Sequence, residues 1–304
     1  MRYIITTFFA SATFAMAEVP TVVTDIPPVH ALVSQVMGDL GSPTLLLTKG
    51  SDEHDFALRP SQAAEVAEAE LVVWIGPELT PWLANALETR ASDAAALALL
   101  DAAGTATRAY ADDEDEEDQG HEHDHDHPVE HGNLDPHAWL DPQNGKIWLT
   151  LIAAELSALD PENASIYSAN AAAAAIGIEG LDADIRAILA PVAEKPIVTF
   201  HDAYGYFTDR YDLTVAGSIA LGDAASPGAQ RLSALRATME AGAVLCIYPE
   251  VQHDPALVKQ MAEGTGAKVG GALDPVGSSL EPGPGAYAAL LMGLAQTITD
   301  CVAD

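Results

Sequence analysis

The sequence predicts an α/β fold of two lobes, each a parallel sheet with flanking helices, joined by one long rigid helix. Three observations carry this. Short apolar runs alternate with helical segments in both halves of the chain, the rhythm of parallel sheets covered on both faces. An internal echo relates the halves: Val72-Val73-Trp74-Ile75-Gly76-Pro77-Glu78 beside Val244-Leu245-Cys246-Ile247-Tyr248-Pro249-Glu250. Between them lies an alanine-rich stretch without proline from Glu162 to Ala190.

The elements follow in order. Val19–Thr24 reads as a buried strand, and Pro27 and Pro28 open a helix through Met37. Thr44–Thr48 is a second apolar run. Pro60 begins a helix to Glu68, Leu71–Ile75 is a strand ended by Gly76-Pro77, and Glu78–Thr89 is helical. Asp141-Pro142 starts a helix to about Leu159. Asp160-Pro161-Glu162 then supplies a cap, a proline for the first helical position and an acid for the first turn. The helix that follows, to Leu189, is a rod of roughly 45 Å. Gly177 and Gly180 weaken it locally by about 1 kcal/mol each relative to alanine. The second half repeats the rhythm with strands at Ile197–Phe200, Leu213–Ala216 and Val244–Tyr248. Its helices are Ala203–Arg210, Gln230–Ala241, Pro255–Gly264 and Pro284–Cys301. The expected division is a leader over 1–17, an N-terminal lobe over 18–159, a linking helix over 160–190 and a C-terminal lobe over 191–304.

Composition narrows the partners. Among 304 residues, 13 Lys and Arg face 45 Asp and Glu, a formal charge of −32. Nucleic acid needs a basic footprint that this chain lacks, and anionic lipid is disfavoured for the same reason. At 49% apolar residues the chain can build a core. Arg2, the apolar run Tyr3–Phe14 and Ala15-Met16-Ala17 form the pattern of a secretory leader cleaved after Ala17, which points to a periplasm. The run is too short for the roughly 20 residues of a membrane helix. Cys246 and Cys301 are the only cysteines; in an oxidising compartment they suggest one disulfide, with two buried thiols as the alternative.

Asp112–Gly132 has eleven acids, five histidines and no base, so it cannot bury enough apolar surface to order itself. His121, His123, His125, His127 and His131 read as a weak accessory metal loop. Three other histidines hold better positions. His54 lies in the polar loop Gly50–Phe56, His137 just before a helix, and His201 at the carboxyl end of a strand, where ligands of parallel sheets bind. Converging imidazoles suit zinc, although a single histidine at such a place is more often a core or capping residue. Asp55, Asp135 and Asp202 lie close enough in sequence to orient the rings. His30 and His253 read as ordinary surface or helix-end residues. Unperturbed values place proton competition near about 6.5 for imidazole and about 4.3 for a glutamate.

Several segments carry a resemblance. Glu53-His54-Asp55-Phe56-Ala57-Leu58-Arg59-Pro60-Ser61, Leu71–Glu78, Asp135-Pro136-His137-Ala138-Trp139-Leu140-Asp141-Pro142 and His201-Asp202-Ala203-Tyr204-Gly205-Tyr206-Phe207 occur in order. Pro227-Gly228-Ala229-Gln230-Arg231 and Leu273-Asp274-Pro275-Val276-Gly277 complete the set. Together they resemble the ZnuA-like periplasmic solute-binding proteins of zinc ABC importers, over essentially the whole chain after its leader. The resemblance implies a single metal in the interlobe cleft, with His54, His137 and His201 as ligands. It implies a monomer that delivers Zn2+ to an inner-membrane ABC permease and is not an enzyme. For the fourth position Glu53 is the first candidate and water the second; Asp274 is expected near the site without ligating. Manganese- and iron-binding members carry a carboxylate where this chain has His201, and softer imidazole there favours zinc. A secreted zinc hydrolase is the competing class, but no His-Glu-x-x-His helix accompanies the histidines.

Overall fold

The computed structural model describes residues 19–54, 56–90, 94–110, 134–220, 228–242 and 244–303. The leader, Asp55 and the loop histidines His121, His123, His125, His127 and His131 lie outside the described residues.

Two four-stranded parallel sheets form the two lobes. The first contains β1 (Val22–Thr24), β2 (Thr44–Leu45), β3 (Leu71–Trp74) and β4 (Ala95–Ala98) in the order β2-β1-β3-β4. Its central pairing sets Val22 beside Leu71 and Thr24 beside Val73. Helices α1 (Pro27–Met37), α2 (Pro60–Glu68), α3 (Pro81–Glu88) and α4 (Pro142–Leu159) complete this half. Each of the four starts with proline in its first turn, where the missing N–H costs nothing. Asp141 caps α4 by accepting from Gln143 N at 2.8 Å.

The second sheet has the order β6-β5-β7-β8, built from β5 (Ile197–His201), β6 (Val215–Ala220), β7 (Cys246–Ile247) and β8 (Lys268–Val269). Around it lie α6 (Gly205–Arg210), α7 (Ala229–Glu240), α8 (Ala256–Ala262) and α9 (Ala286–Ala303). A β-strand followed by a parallel neighbour requires a crossover, and in both lobes the helices supply it.

The 26 residues of α5 (Ala164–Leu189) run unbroken between the halves, so Gly177 and Gly180 do not interrupt the rod. It packs on α4, α1 and α9, and buries Tyr167, Ile178, Ile185 and Leu189. Asp160 holds the turn before it, accepting from Asn163 Nδ2 at 2.7 Å and Tyr167 Oη at 2.8 Å. That first bond, more than any other contact, draws the Asp160 carboxyl below its ordinary value. Cys246 and Cys301 form a disulfide that ties β7 to α9.

The edge strands β4 and β8 differ from the expectation, which had no strand at either place. Ala95-Ala96-Leu97-Ala98 carries helix-favouring residues, and Lys268-Val269 is exposed on both faces. Each is a strand only because a neighbour offers a ladder: Ala95 beside Leu71, and Lys268 beside Cys246. β6 begins two residues later than expected, with an irregular register between Ile197 and Val198.

Candidate metal centre

Three histidines from separate segments of the chain meet at one place. His201 is the last residue of β5. His137 precedes a short 3-10 turn, Ala138–Leu140, that leads into α4. His54 sits in the loop between β2 and α2, where its backbone N donates to Asp52 Oδ1 at 2.9 Å. The same loop is held by Trp82, whose Nε1 donates to Glu53 O at 2.9 Å. The ring centroids lie 5.5 Å apart for His54 and His137, 5.4 Å for His137 and His201, and 6.2 Å for His54 and His201. One nitrogen from each ring lies within 4.8 Å of the other two, so one ion between them is within reach of all three.

Buried carboxylates orient two of the rings. Asp135 Oδ1 accepts from His137 Nδ1 at 2.8 Å and from His137 backbone N at 3.0 Å, a tight turn that locks the side chain to its own segment. Glu250, three residues beyond β7, faces His201 Nδ1 at 2.7 Å and accepts from Tyr204 Oη at 2.9 Å. A carboxylate accepting from Nδ1–H selects the tautomer whose Nε2 lone pair points into the centre. His137, Asp135 and Glu250 are almost wholly sequestered from water, which strengthens these bonds.

The centre is electrostatically primed. Burial, reinforced by the neighbouring His137 and His201, pushes His54 down to about 2, so its imidazole is neutral throughout the physiological range. Burial pushes Glu53 up to about 8. Glu53 is 2% exposed, and its Oε1 lies 3.7 Å from His54 Nε2. These directions reverse the ordinary values for His54 and Glu53, because removal from water penalises the charged form of each group. A cation at the centre would supply the missing counter-charge and make Glu53 ionise.

That yields a signed expectation. A Glu53 that coordinates as a carboxylate must lose its proton on metal binding at any pH below about 8. Affinity should therefore rise with pH up to about 8 and fall below it. Titration calorimetry at pH 7 in buffers of different ionisation enthalpy should show release of about one proton, and Glu53→Gln should remove it. Proton release unchanged in Glu53→Gln would take Glu53 out of the coordination shell.

The remaining residues sort by contact. Asp274 is engaged elsewhere: Oδ1 accepts from Ser278 N at 3.0 Å, and Oδ2 from Ser279 N at 2.8 Å and Ser279 Oγ at 2.6 Å. Asp135 orients a ring as expected, but on His201 the acceptor is Glu250 rather than Asp202. Glu250 was not singled out from the sequence. The internal echo was its signal, since the Pro249-Glu250 that ends one half matches the Pro77-Glu78 of the other. His30 sits in the first turn of α1, as a helix-end residue would, but is buried at 8% exposure rather than on the surface. His253 stacks on Phe200 at 4.5 Å, with Nε2 3.7 Å from Glu250 Oε2, and so borders the centre from outside.

Comparison with known proteins completes the picture. The profile of a family described as "ZnuA: Zinc-uptake complex component A periplasmic" matches residues 22–301. A high-affinity zinc uptake system protein ZnuA of Paracoccus denitrificans is 49% identical, over 95% of this chain and 93% of that protein. Its counterpart in Brucella abortus (strain 2308) is 35% identical, over 92% and 91%. Among solved structures, a ZnuA deletion mutant with zinc bound superposes with a TM-score of 0.75 at 27% identity, covering 93% of this chain and 98% of that one. A manganese-bound periplasmic metal-binding protein from Candidatus Liberibacter asiaticus shares the fold, with a TM-score of 0.77 at 20% identity over 93% and 99%.

Proposed function

The chain belongs to the ZnuA family, the periplasmic components of zinc-uptake complexes, and from that premise we propose that it captures Zn2+ at the three-histidine centre and delivers it to an inner-membrane ABC permease. It is a high-affinity zinc-binding component of an uptake system and works in the periplasm. The observation that carries the reading is the convergence of His54, His137 and His201 within 4.8 Å. His54, His137 and His201 are the ligands in this reading. Glu53 takes the fourth position, closing a tetrahedral shell of three nitrogens and one oxygen. Asp274 stays outside it, because its carboxylate is occupied by Ser278 and Ser279.

The donor set explains the choice of ion. Neutral imidazoles suit zinc, whereas manganese prefers oxygen donors, which are outnumbered here. Family membership makes the chain a solute-binding transport protein, and we assign the centre no reaction. We further propose a monomer, exported by a leader cleaved after Ala17, with lobes over 18–159 and 191–304 and a linking helix over 160–190. The acidic loop collects further ions weakly, through its five histidines and the acids beside them.

Titration of metal-free protein with zinc and manganese tests this. One tight zinc site is expected, with manganese weaker by about a hundredfold or more. Deletion of 112–132 should remove weak sites only. Manganese binding as tight as zinc would move the chain toward the oxygen-donor members, and loss of tight binding on deletion would place the receptor in the loop.

A further inference from the structure

Beyond the ligands, an arginine joins the supports of two of them across the lobes. Arg108 precedes the segment that carries His137, and its backbone is paired to that segment: Asp135 N donates to Arg108 O at 3.0 Å. Its guanidinium reaches two carboxylates on different elements. Nη1 donates to Asp135 Oδ2 at 3.0 Å, while Nε lies 3.2 Å from Asp209 Oδ2 on α6. Asp135 belongs to the N-terminal half and its other oxygen holds the His137 ring. Asp209 belongs to the C-terminal half, on the helix that follows His201.

Three features show a built arrangement. Tyr206 Oη accepts from Arg108 N at 3.0 Å and donates to Asp135 O at 2.8 Å, stitching the same two segments to α6 a second time. The Tyr206 ring lies under the guanidinium, 5.9 Å from centroid to Cζ. Gly205 opens the path: a Cβ built there would fall 1.2 Å from Arg108 Nη1. Only glycine at the start of α6 lets the fork lie across that helix.

We infer that Arg108 is a positioning residue for zinc binding: it holds Asp135 against the His137 ring and clasps the two lobes through Asp209. The physics is that of a buried carboxylate. Asp135 is fully buried, and its carboxylate keeps its orientation only while donors occupy both oxygens, His137 on Oδ1 and Arg108 on Oδ2. With the guanidinium removed, Asp135 Oδ2 loses its donor, and the Nδ1–H acceptor that presents Nε2 of His137 loosens. The arginine also bridges the two halves that enclose the ion, so its loss should act mainly on release. Arginine serves better than lysine here, because one side chain reaches two carboxylates from fixed donors.

The inference rests on His137 being a ligand, and the test separates the two claims. In the full-length exported chain, zinc affinity, the release rate into excess chelator and the visible spectrum of the Co2+-substituted protein would be measured. Arg108→Gln should weaken zinc about 10- to 100-fold, the scale of lost outer-shell partners, chiefly through faster release, and should alter the Co2+ bands. Gly205→Ala keeps every charge and should displace the fork, changing release and spectrum in the same direction. Arg108→Lys should recover part of the affinity. Asp209→Asn should speed release while leaving the Co2+ bands in place. His137→Ala is the control. If it abolishes tight binding while Arg108→Gln and Gly205→Ala keep the parent release rate and spectrum, the clasp is wrong and the ligand set stands. If His137→Ala binds zinc as the parent does, the ligand set is wrong and the clasp falls with it.

Discussion

Alanine at His54, His137 or His201 should weaken zinc binding by about a hundredfold to a thousandfold, while His30→Ala and His253→Ala change it less than tenfold. The size follows from the scale of such sites. Zinc held by four protein ligands is worth about 10–16 kcal/mol, so one donor accounts for about 2.5–4 kcal/mol. At about 1.4 kcal/mol per factor of ten, that is two to three orders of magnitude. The three should differ in a second respect. His137 and His201 each donate to a buried carboxylate, Asp135 and Glu250. Removing either ring takes one donor from that buried acid, so metal-free stability should fall as well. His54 lies on a loop, and its loss should cost affinity with little effect on the metal-free melting temperature. Competitive titration and thermal melts of the five variants provide the check. Equal affinity losses across all five would dissolve the assignment.

Removing the disulfide should be the largest single blow to stability. Cys246 and Cys301 are separated by 55 residues, and the chain-entropy model values a crosslink of that span at about 4 kcal/mol. Native domains hold only about 5–15 kcal/mol in total, so a large share would vanish. Unfolding by guanidinium, compared between the oxidised protein and Cys246→Ser/Cys301→Ser, measures the difference. Zinc affinity should change less than tenfold, because neither sulfur belongs to the ring cluster. A double variant as stable as the parent would show that packing of β7 on α9 suffices without the bond.

Much of the fold was legible because its signals are local. Proline at the head of α1, α2 and α4, apolar runs at β1 and β3, and a proline-free alanine-rich stretch at α5 each declare themselves locally, whereas α3 starts at Pro81, three residues later than expected. The edge strands were illegible for the converse reason. Ala95–Ala98 and Lys268–Val269 have no strand character of their own and take it from a partner. Tertiary pairing overrides propensity there.

The same line divides the candidate site. By itself the sequence determined the two-lobed parallel α/β plan, the acidic composition, the cysteine pair and three histidines outside the acidic loop, one in a loop, one before a helix and one at a strand end. Those are properties of composition, of short windows, or of motifs read in order. Only the tertiary structure decided which acids serve which rings. Asp135 lies two residues from His137 and was foreseeable, whereas Glu250 lies 49 residues from His201 and Arg108 lies 27 from Asp135. Only the tertiary structure, too, turned Glu53 and His54 against their ordinary titration, since burial exists only in the folded chain. Hydrogen bonds and desolvation depend on distance in space, and no pattern along the chain records that distance until it folds.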